Sequence, residues 1–231
     1  MFEYFRSEEH FKSTDVVRDI IIGMSDGLTV PFALAAGLSG AVDHTSIIVV
    51  AGLAEIVAGS ISMGLGGYLA GTNDADHYWS EMKREYKEVK EVPEMEKEEV
   101  VELLGEYGIT RDEVQPILNH FEKDHDMWVK FMMRNELRLE EPHPHRAAWS
   151  AGTIALSYIV GGVVPLTPYL FITVPHEALL VSSLCTLVAL TIFGYVKSKV
   201  IGVNPWKGAF RTAIIGTVAA GAAYTIARYI A

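Results

Sequence analysis

Five stretches of this 231-residue chain are continuously apolar, at about 20–41, 45–70, 147–166, 174–196 and 208–230. A bilayer's hydrocarbon core is crossed by about 20 such residues in helical form. The runs are continuous rather than alternating, which excludes a β-barrel and makes the spans helical. The remaining charge is concentrated. From Thr72 to Glu141 there are 20 Asp and Glu against 10 Lys and Arg, so this segment accounts for the whole net charge of −10. An ordinary cytosolic enzyme and a disordered chain are both excluded. Nucleic acid is disfavoured as a partner, because an acidic polar part repels phosphate. The expected fold is all-α: a polytopic membrane protein of five transmembrane helices with a three-helix insert between spans two and three. The expected division is 1–71, an N-terminal helix with spans one and two; 72–146, the Glu- and Met-rich insert; and 147–231, spans three to five.

Phe2, Phe5 and Phe11 alternate with charges, the pattern of an amphipathic helix at a lipid interface. The one cysteine, Cys185, lies in the fourth apolar stretch, so neither an intrachain disulfide nor a cysteine metal site is expected. Orientation follows from the basic residues. Arg6, Lys12, Arg18, Arg146, Lys197, Lys199 and Lys207 gather on one side, while the turns at 42–44 and 167–173 carry none. That asymmetry places the N-terminus and the insert in the cytosol and the C-terminus across the membrane.

The insert reads as three helices. The first continues span two to about Val92 and stops at Pro93, and the second runs from Glu94 to Glu106. The third opens on the capping box Thr110-Arg111-Asp112-Glu113 and reaches about Glu141. At 100° per residue Asp74, His77, Glu81, Glu85 and Glu88 form one stripe of the first helix, opposite Lys83, Lys87 and Lys90. In the second helix Glu96 shares the apolar face of Val100, Leu103 and Tyr107, and Glu99 borders it. In the third, Glu136 continues the apolar row Val114, Ile117, Leu118, Phe121, Trp128 and Met132. Inward carboxylates without cations would protonate, and the lysines face away. A divalent metal resolves this, with Glu85-x-x-Glu88 and Glu96-x-x-Glu99 each presenting two carboxylates on one helix turn. A thioether from Met132 or Met133 shifts the preference towards a softer ion such as ferrous iron.

Asp26 and Glu55 lie inside spans one and two, where a charge is expensive and is a functional candidate by default. With a rise of ~1.5 Å per residue, Asp26 and Met63 each sit roughly 10 Å from the cytosolic end of their span. They therefore share a level. Glu55, Gly59, Met63 and Gly67 form a small and polar ladder that reads as a pathway or a subunit seam. Five spans make too small a bundle to enclose a wide route, so a homodimer with the route on its two-fold axis is expected. Glu177 reads as interfacial, and His143 and His145, between prolines, as linker residues.

The run from Asp19 to Phe32, with Gly23-Met24-Ser25-Asp26-Gly27-Leu28-Thr29-Val30-Pro31 within it, resembles the first-span signature of the vacuolar iron transporter family. Glu55-Ile56-Val57-Ala58-Gly59-Ser60-Ile61-Ser62-Met63-Gly64 resembles its second-span signature. The resemblance covers essentially the whole chain. It implies a five-span homodimer that exchanges cytosolic ferrous iron for vacuolar protons, with manganese, cobalt and zinc as further divalent candidates and no organic cofactor. It also implies that the insert is a cytosolic metal-binding domain with ligands at Glu85, Glu88, Glu96, Glu99, Met132, Met133 and Glu136. The pathway residues it implies are Asp26, Glu55 and Met63.

Two other readings stay open. A membrane-anchored ferritin-like oxidase would use a Glu-x-x-His pair such as Glu122 and His125. A metal sensor would bind iron without moving it.

Overall fold

The computed structural model describes residues 14–230, so the expected amphipathic helix with Phe2, Phe5 and Phe11 lies outside the described residues. The described chain is helical, with no strand among these residues. Its elements are α1 (Thr14–Ser39), α2 (Thr45–Glu91), α3 (Pro93–Gly105), α4 (Arg111–Phe121), α5 (His125–Asn135), α6 (Arg146–Phe171), α7 (Pro175–Ile201) and α8 (Pro205–Ile230). Five of them, α1, α2, α6, α7 and α8, are long and apolar enough to cross a membrane. Local chemistry sets the boundaries. Pro93 and Pro175 open α3 and α7, where a missing N–H costs nothing. Gly202, at φ 81°, ends α7 in the left-handed conformation. Asn204 caps α8 by accepting from the amides of Trp206 and Lys207.

Two compact units result. One takes the chain to Tyr68 together with Ala147–Ala231, and the other is Leu69–Arg146, so α2 contributes to both. In the first unit α1 packs on α7 and α8, and α7 packs on α8. Several of its polar side chains find partners within the unit. The Ser39 hydroxyl reaches Tyr169 at 2.9 Å, and the Ser182 hydroxyl donates to the Pro165 carbonyl at 2.6 Å. The outward surface is apolar: Val57, Ile61 and Leu65 are all more than half exposed along one edge of α2. The approach of α6 to α1 is limited by backbone. A Cβ at Gly27 would stand 2.2 Å from the Tyr158 carbonyl oxygen, so only glycine permits this spacing.

The second unit has its own core, in which Tyr78 and Val89 of α2, Val100 of α3, Val114, Leu118 and Phe121 of α4, and Trp128, Met132 and Met133 of α5 are buried. Phe121 and Trp128 stack with centroids 6.1 Å apart. The long third helix expected from the sequence is instead two helices. Asp124 breaks it by capping α5, its carboxylate accepting from the Met127 amide at 3.0 Å. The α5 helix stops at Asn135 rather than near Glu141: Arg138 takes φ 55°, and the Leu139 amide turns back to the Met133 carbonyl. At the start of α4, Glu113 closes the expected capping arrangement by accepting from the Thr110 amide at 2.8 Å and hydroxyl at 2.7 Å. Two residues assigned to the apolar faces lie outside the core: Tyr107, just past the end of α3, is 78% exposed, and Ile117 is 36% exposed.

Gly27→Ala should therefore force α6 away from α1 and lower the thermal midpoint of the purified protein, by about 1–3 kcal/mol in stability terms, as overpacking does. Gly152, with nothing within 4 Å of a built Cβ, is the internal control. Gly152→Ala should be neutral or mildly stabilising, since alanine is the better helix former by about 1 kcal/mol.

Candidate functional site

The polar end of α2 begins the site in the second unit. Along it Tyr78, Glu85 and Val89 are buried, while Asp74 and His77 are exposed. The acidic stripe read from the sequence is thus only partly inward. Glu85 is 2% exposed, and its Oε2 has no hydrogen-bond partner. Sequence reasoning missed the cation beside it. Arg84 places Nη1 2.9 Å from Glu81, Nε 3.4 Å from Glu88 and Nη2 4.0 Å from Glu85. Its spacing of three and four residues from Glu81 and Glu88 was the available signal.

From α3, Glu96 enters 2% exposed, again with an unpartnered Oε2, and Glu99 is half-buried one turn later. Burial drives both buried carboxyls up from the ordinary 4.5. Glu85, further raised by Glu136, Glu88 and Glu99, reaches about 7 even with Arg84 opposing. Glu96, further raised by Glu99, Glu85, Glu88 and Glu136, reaches about 8. Glu99 and Glu136 are raised as well, first by desolvation and then by neighbouring carboxylates. Glu85, Glu88, Glu96, Glu99 and Glu136 therefore lie within electrostatic reach of one another, although they come from three helices.

From α5, Met132 and Met133 are 0% and 1% exposed, in a core that also holds Val89 and Val100, each one turn from Glu85 and Glu96. Glu136 departs from its expected place in the apolar row. It is the C-cap of α5, exposed, because the helix ends one residue before it. Among the described residues no three His, Cys, Asp or Glu side chains stand at ion-holding distances. The cluster is an open, converging set of acids with two buried thioethers behind it. Glu122 and His125 do not share a helix turn, since α4 ends at Phe121 and α5 starts at His125. Glu122 is instead paired with Lys97 at 2.5 Å, so the oxidase half-motif is not assembled.

In the first unit, Asp26, Glu55 and Met63 are all partly buried, on α1 and α2. Glu55 accepts a hydrogen bond from the Tyr158 hydroxyl of α6, and its Oε2 is buried without a partner. Tyr158 also lies over Gly59, where a Cβ would stand 2.5 Å from its hydroxyl. At Gly67 a Cβ would meet the Ile154 side chain at 2.6 Å. At Gly59 and Gly67 the ladder also seats α6 of the same chain. Tyr158 was not foreseen. A tyrosine in an apolar span three residues before Gly161-Gly162 was the signal, since a buried hydroxyl needs a partner.

A family model described as the VIT family matches residues 17–228. "Vacuolar iron transporter 1" of Tulipa gesneriana is 53% identical over 223 residues, covering 96% of this chain and 90% of that protein. "Vacuolar iron transporter 2" of Oryza sativa subsp. japonica is 52% identical over 224 residues, covering 97% and 91%. "Vacuolar iron transporter 1" of Arabidopsis thaliana is 53% identical over 224 residues, covering 97% and 90%.

The raised carboxyls dictate a pH dependence. Between the ordinary 4.5 and about 8 the folded unit holds protons on Glu85 and Glu96 that the unfolded chain releases. Stability is then full below 4.5, falls as pH rises through about 7 and 8, and is flat above. Without divalent metal, the denaturation midpoint should be lower at about pH 8 than at about pH 5.5. Trp128 emission, with the other tryptophans replaced by Phe, reports on this unit. Glu96→Gln should flatten the dependence.

Proposed function

The chain belongs to the VIT family, and on that premise we propose that it moves ferrous iron from the cytosol into the vacuole in exchange for protons. The reading is that of a transporter rather than an enzyme, with iron as cargo and protons as the counter-substrate. The observation that carries it is the pair of buried carboxylates, Glu85 and Glu96, each with an oxygen that has no partner. An acid held in that state binds a proton or a cation, and ligation needs the deprotonated form. Glu85, Glu88, Glu96, Glu99 and Glu136 supply hard oxygens, and Met132 and Met133 supply soft sulfur. That donor mixture suits ferrous iron better than calcium or magnesium, with manganese, cobalt and zinc as further candidates.

The insert, on this reading, is cytosolic and collects the ion, while Asp26, Glu55 and Met63 carry it through the bilayer. Asp26 is the exchange group, and Glu55 is the next station deeper in the membrane. Metal and proton compete for the same carboxylate oxygens. A near-neutral cytosol favours metal, and an acidic lumen favours the proton and so releases the metal. Met63 holds a partly dehydrated soft ion without adding charge. The N-terminus faces the cytosol and the C-terminus the lumen, following the basic-residue asymmetry. The working unit is a homodimer closed through spans one and two, whose small residues permit close helix contact.

Ferrous iron uptake into sealed proteoliposomes with an acidic interior tests this. Asp26→Asn keeps the shape and removes the titration, so it should abolish uptake while calorimetric binding of ferrous iron by the same protein persists. Proton-driven uptake at the wild-type rate would place the coupling group elsewhere. Proteoliposomes loaded with wild-type protein that bind iron but never accumulate it would favour a sensor.

Met132→Leu with Met133→Leu conserves volume, at a cost of below ~1.5 kcal/mol per swap. The double variant should fold, bind manganese as before and bind ferrous iron more weakly. An unchanged iron-to-manganese affinity ratio would return both residues to core packing alone.

A further inference from the structure

On either side of the turn between α7 and α8 stand three cations that have no part in the proposed iron route. A cavity of about 510 Å³ is lined there by Lys197, Lys207 and Arg211, together with Ser198, Asn204 and Thr212. The two helices come close enough to bring these residues together because glycine stands at the crossing. A Cβ at Gly208 would overlap the Ser198 Oγ, and one at Gly194 would stand 2.7 Å from the Gly208 carbonyl. Gly202 reverses the chain at φ 81°, and Asn204 fixes the first turn of α8. Lys197 from α7 thus meets Lys207 and Arg211 from α8.

Among the described residues none that lines the cavity is Asp or Glu, and none of the three cations forms an ion pair. The rule that basic residues collect on the cytosolic side explains their presence in this turn but not their convergence on one concavity, which like-charge repulsion opposes. The cavity lies at one end of two helices long and apolar enough to cross a membrane. Trp206 and Phe210 flank it 72% and 70% exposed, as interfacial aromatics are, and the Lys197 ammonium lies 5.4 Å from the Phe193 ring centroid. Ile201 and Ile215 complete the wall with apolar surface.

We propose that this cavity binds the phosphate of an anionic phospholipid headgroup. Lys197, Lys207 and Arg211 hold the phosphate oxygens, the Ser198 and Thr212 hydroxyls lie within the same cavity, and Ile201 and Ile215 cover the glycerol and first acyl carbons. The basic-residue asymmetry assigns this end of the spans to the cytosolic leaflet, whose lipids are anionic, and basic pockets between spans there take such headgroups. A free phosphate offers the same oxygens but leaves the isoleucines uncovered.

The full-length protein in detergent, given equal phosphatidic acid and phosphatidylcholine and examined by native mass spectrometry, tests this. Wild type should retain phosphatidic acid preferentially. Lys207→Gln with Arg211→Gln should weaken that retention by roughly fivefold for each charge removed. Arg228→Gln, which removes one charge near the other end of α8, should leave it unchanged. If the double variant does not purify, Lys197→Gln alone should show roughly the single fivefold loss. Exchanging the two charges, Lys207→Arg with Arg211→Lys, should restore retention. Equal retention of the two lipids by wild type, or undiminished preference in the Gln variants, overturns the proposal. Displacement of the lipid by inorganic phosphate at matching concentration would assign the site to a soluble phosphate and overturn the lipid assignment.

Discussion

A carboxylate removed from water must find a proton, a donor or a cation, and the chain meets this constraint in both units. In the bilayer segment Glu55 has the Tyr158 hydroxyl on one oxygen and nothing on the other. In the polar unit Glu85 and Glu96 each keep one buried oxygen without a partner. Desolvation of this kind costs several kcal/mol for a bare anion, more than any nearby packing interaction returns. The acids are therefore held in a state whose cheapest completions are protonation and metal ligation. That is the chemistry a proton-coupled metal carrier needs, and it comes from placement rather than from any single residue type.

Glycine at helix crossings is the second constraint, and it determines which side chains are neighbours. Gly27 lets α6 reach α1, and Gly59 makes room for Tyr158, which then reaches Glu55. Gly194 and Gly208 bring α7 and α8 together and so gather Lys197, Lys207 and Arg211. In hydrocarbon no hydrophobic force drives helices together, so close backbone approach and the few available hydrogen bonds carry association. A methyl group at these positions would change which polar groups meet as well as how tightly the bundle packs.

The polar unit, which carries the chain's net negative charge, offsets part of it through local ion pairs. Arg84 sits among Glu81, Glu85 and Glu88, and Lys97 bridges Glu94 and Glu122. Arg84 is half exposed, so its attraction is screened and leaves Glu85 raised. A divalent ion, with twice the charge and no solvated stem, would compete with Arg84 for the same oxygens. The apolar side of the unit stacks Trp128 of α5 on Phe121 of α4 and gathers both buried methionines in one cluster with Val89 of α2 and Val100 of α3.

Much of this was determined by the sequence alone. Five continuous apolar runs specify five helical spans, because hydrocarbon leaves the backbone no other bonded form. Glu96 was identifiable as inward from its place beside Val100, and Met132 from its place after Trp128, because periodicity reports which face an isolated helix buries. Periodicity runs out where a helix ends. It carried α4 straight into α5 and put Glu136 in the core, whereas a single capping bond from Asp124 starts a new helix and Glu136 closes it at the surface. The reach of Tyr158 to Glu55 and the convergence of the α7–α8 cations were decided only by the tertiary structure. Hydropathy and spacing describe one helix at a time, while the approach of two helices is set by the few positions at which neither has a side chain in the way.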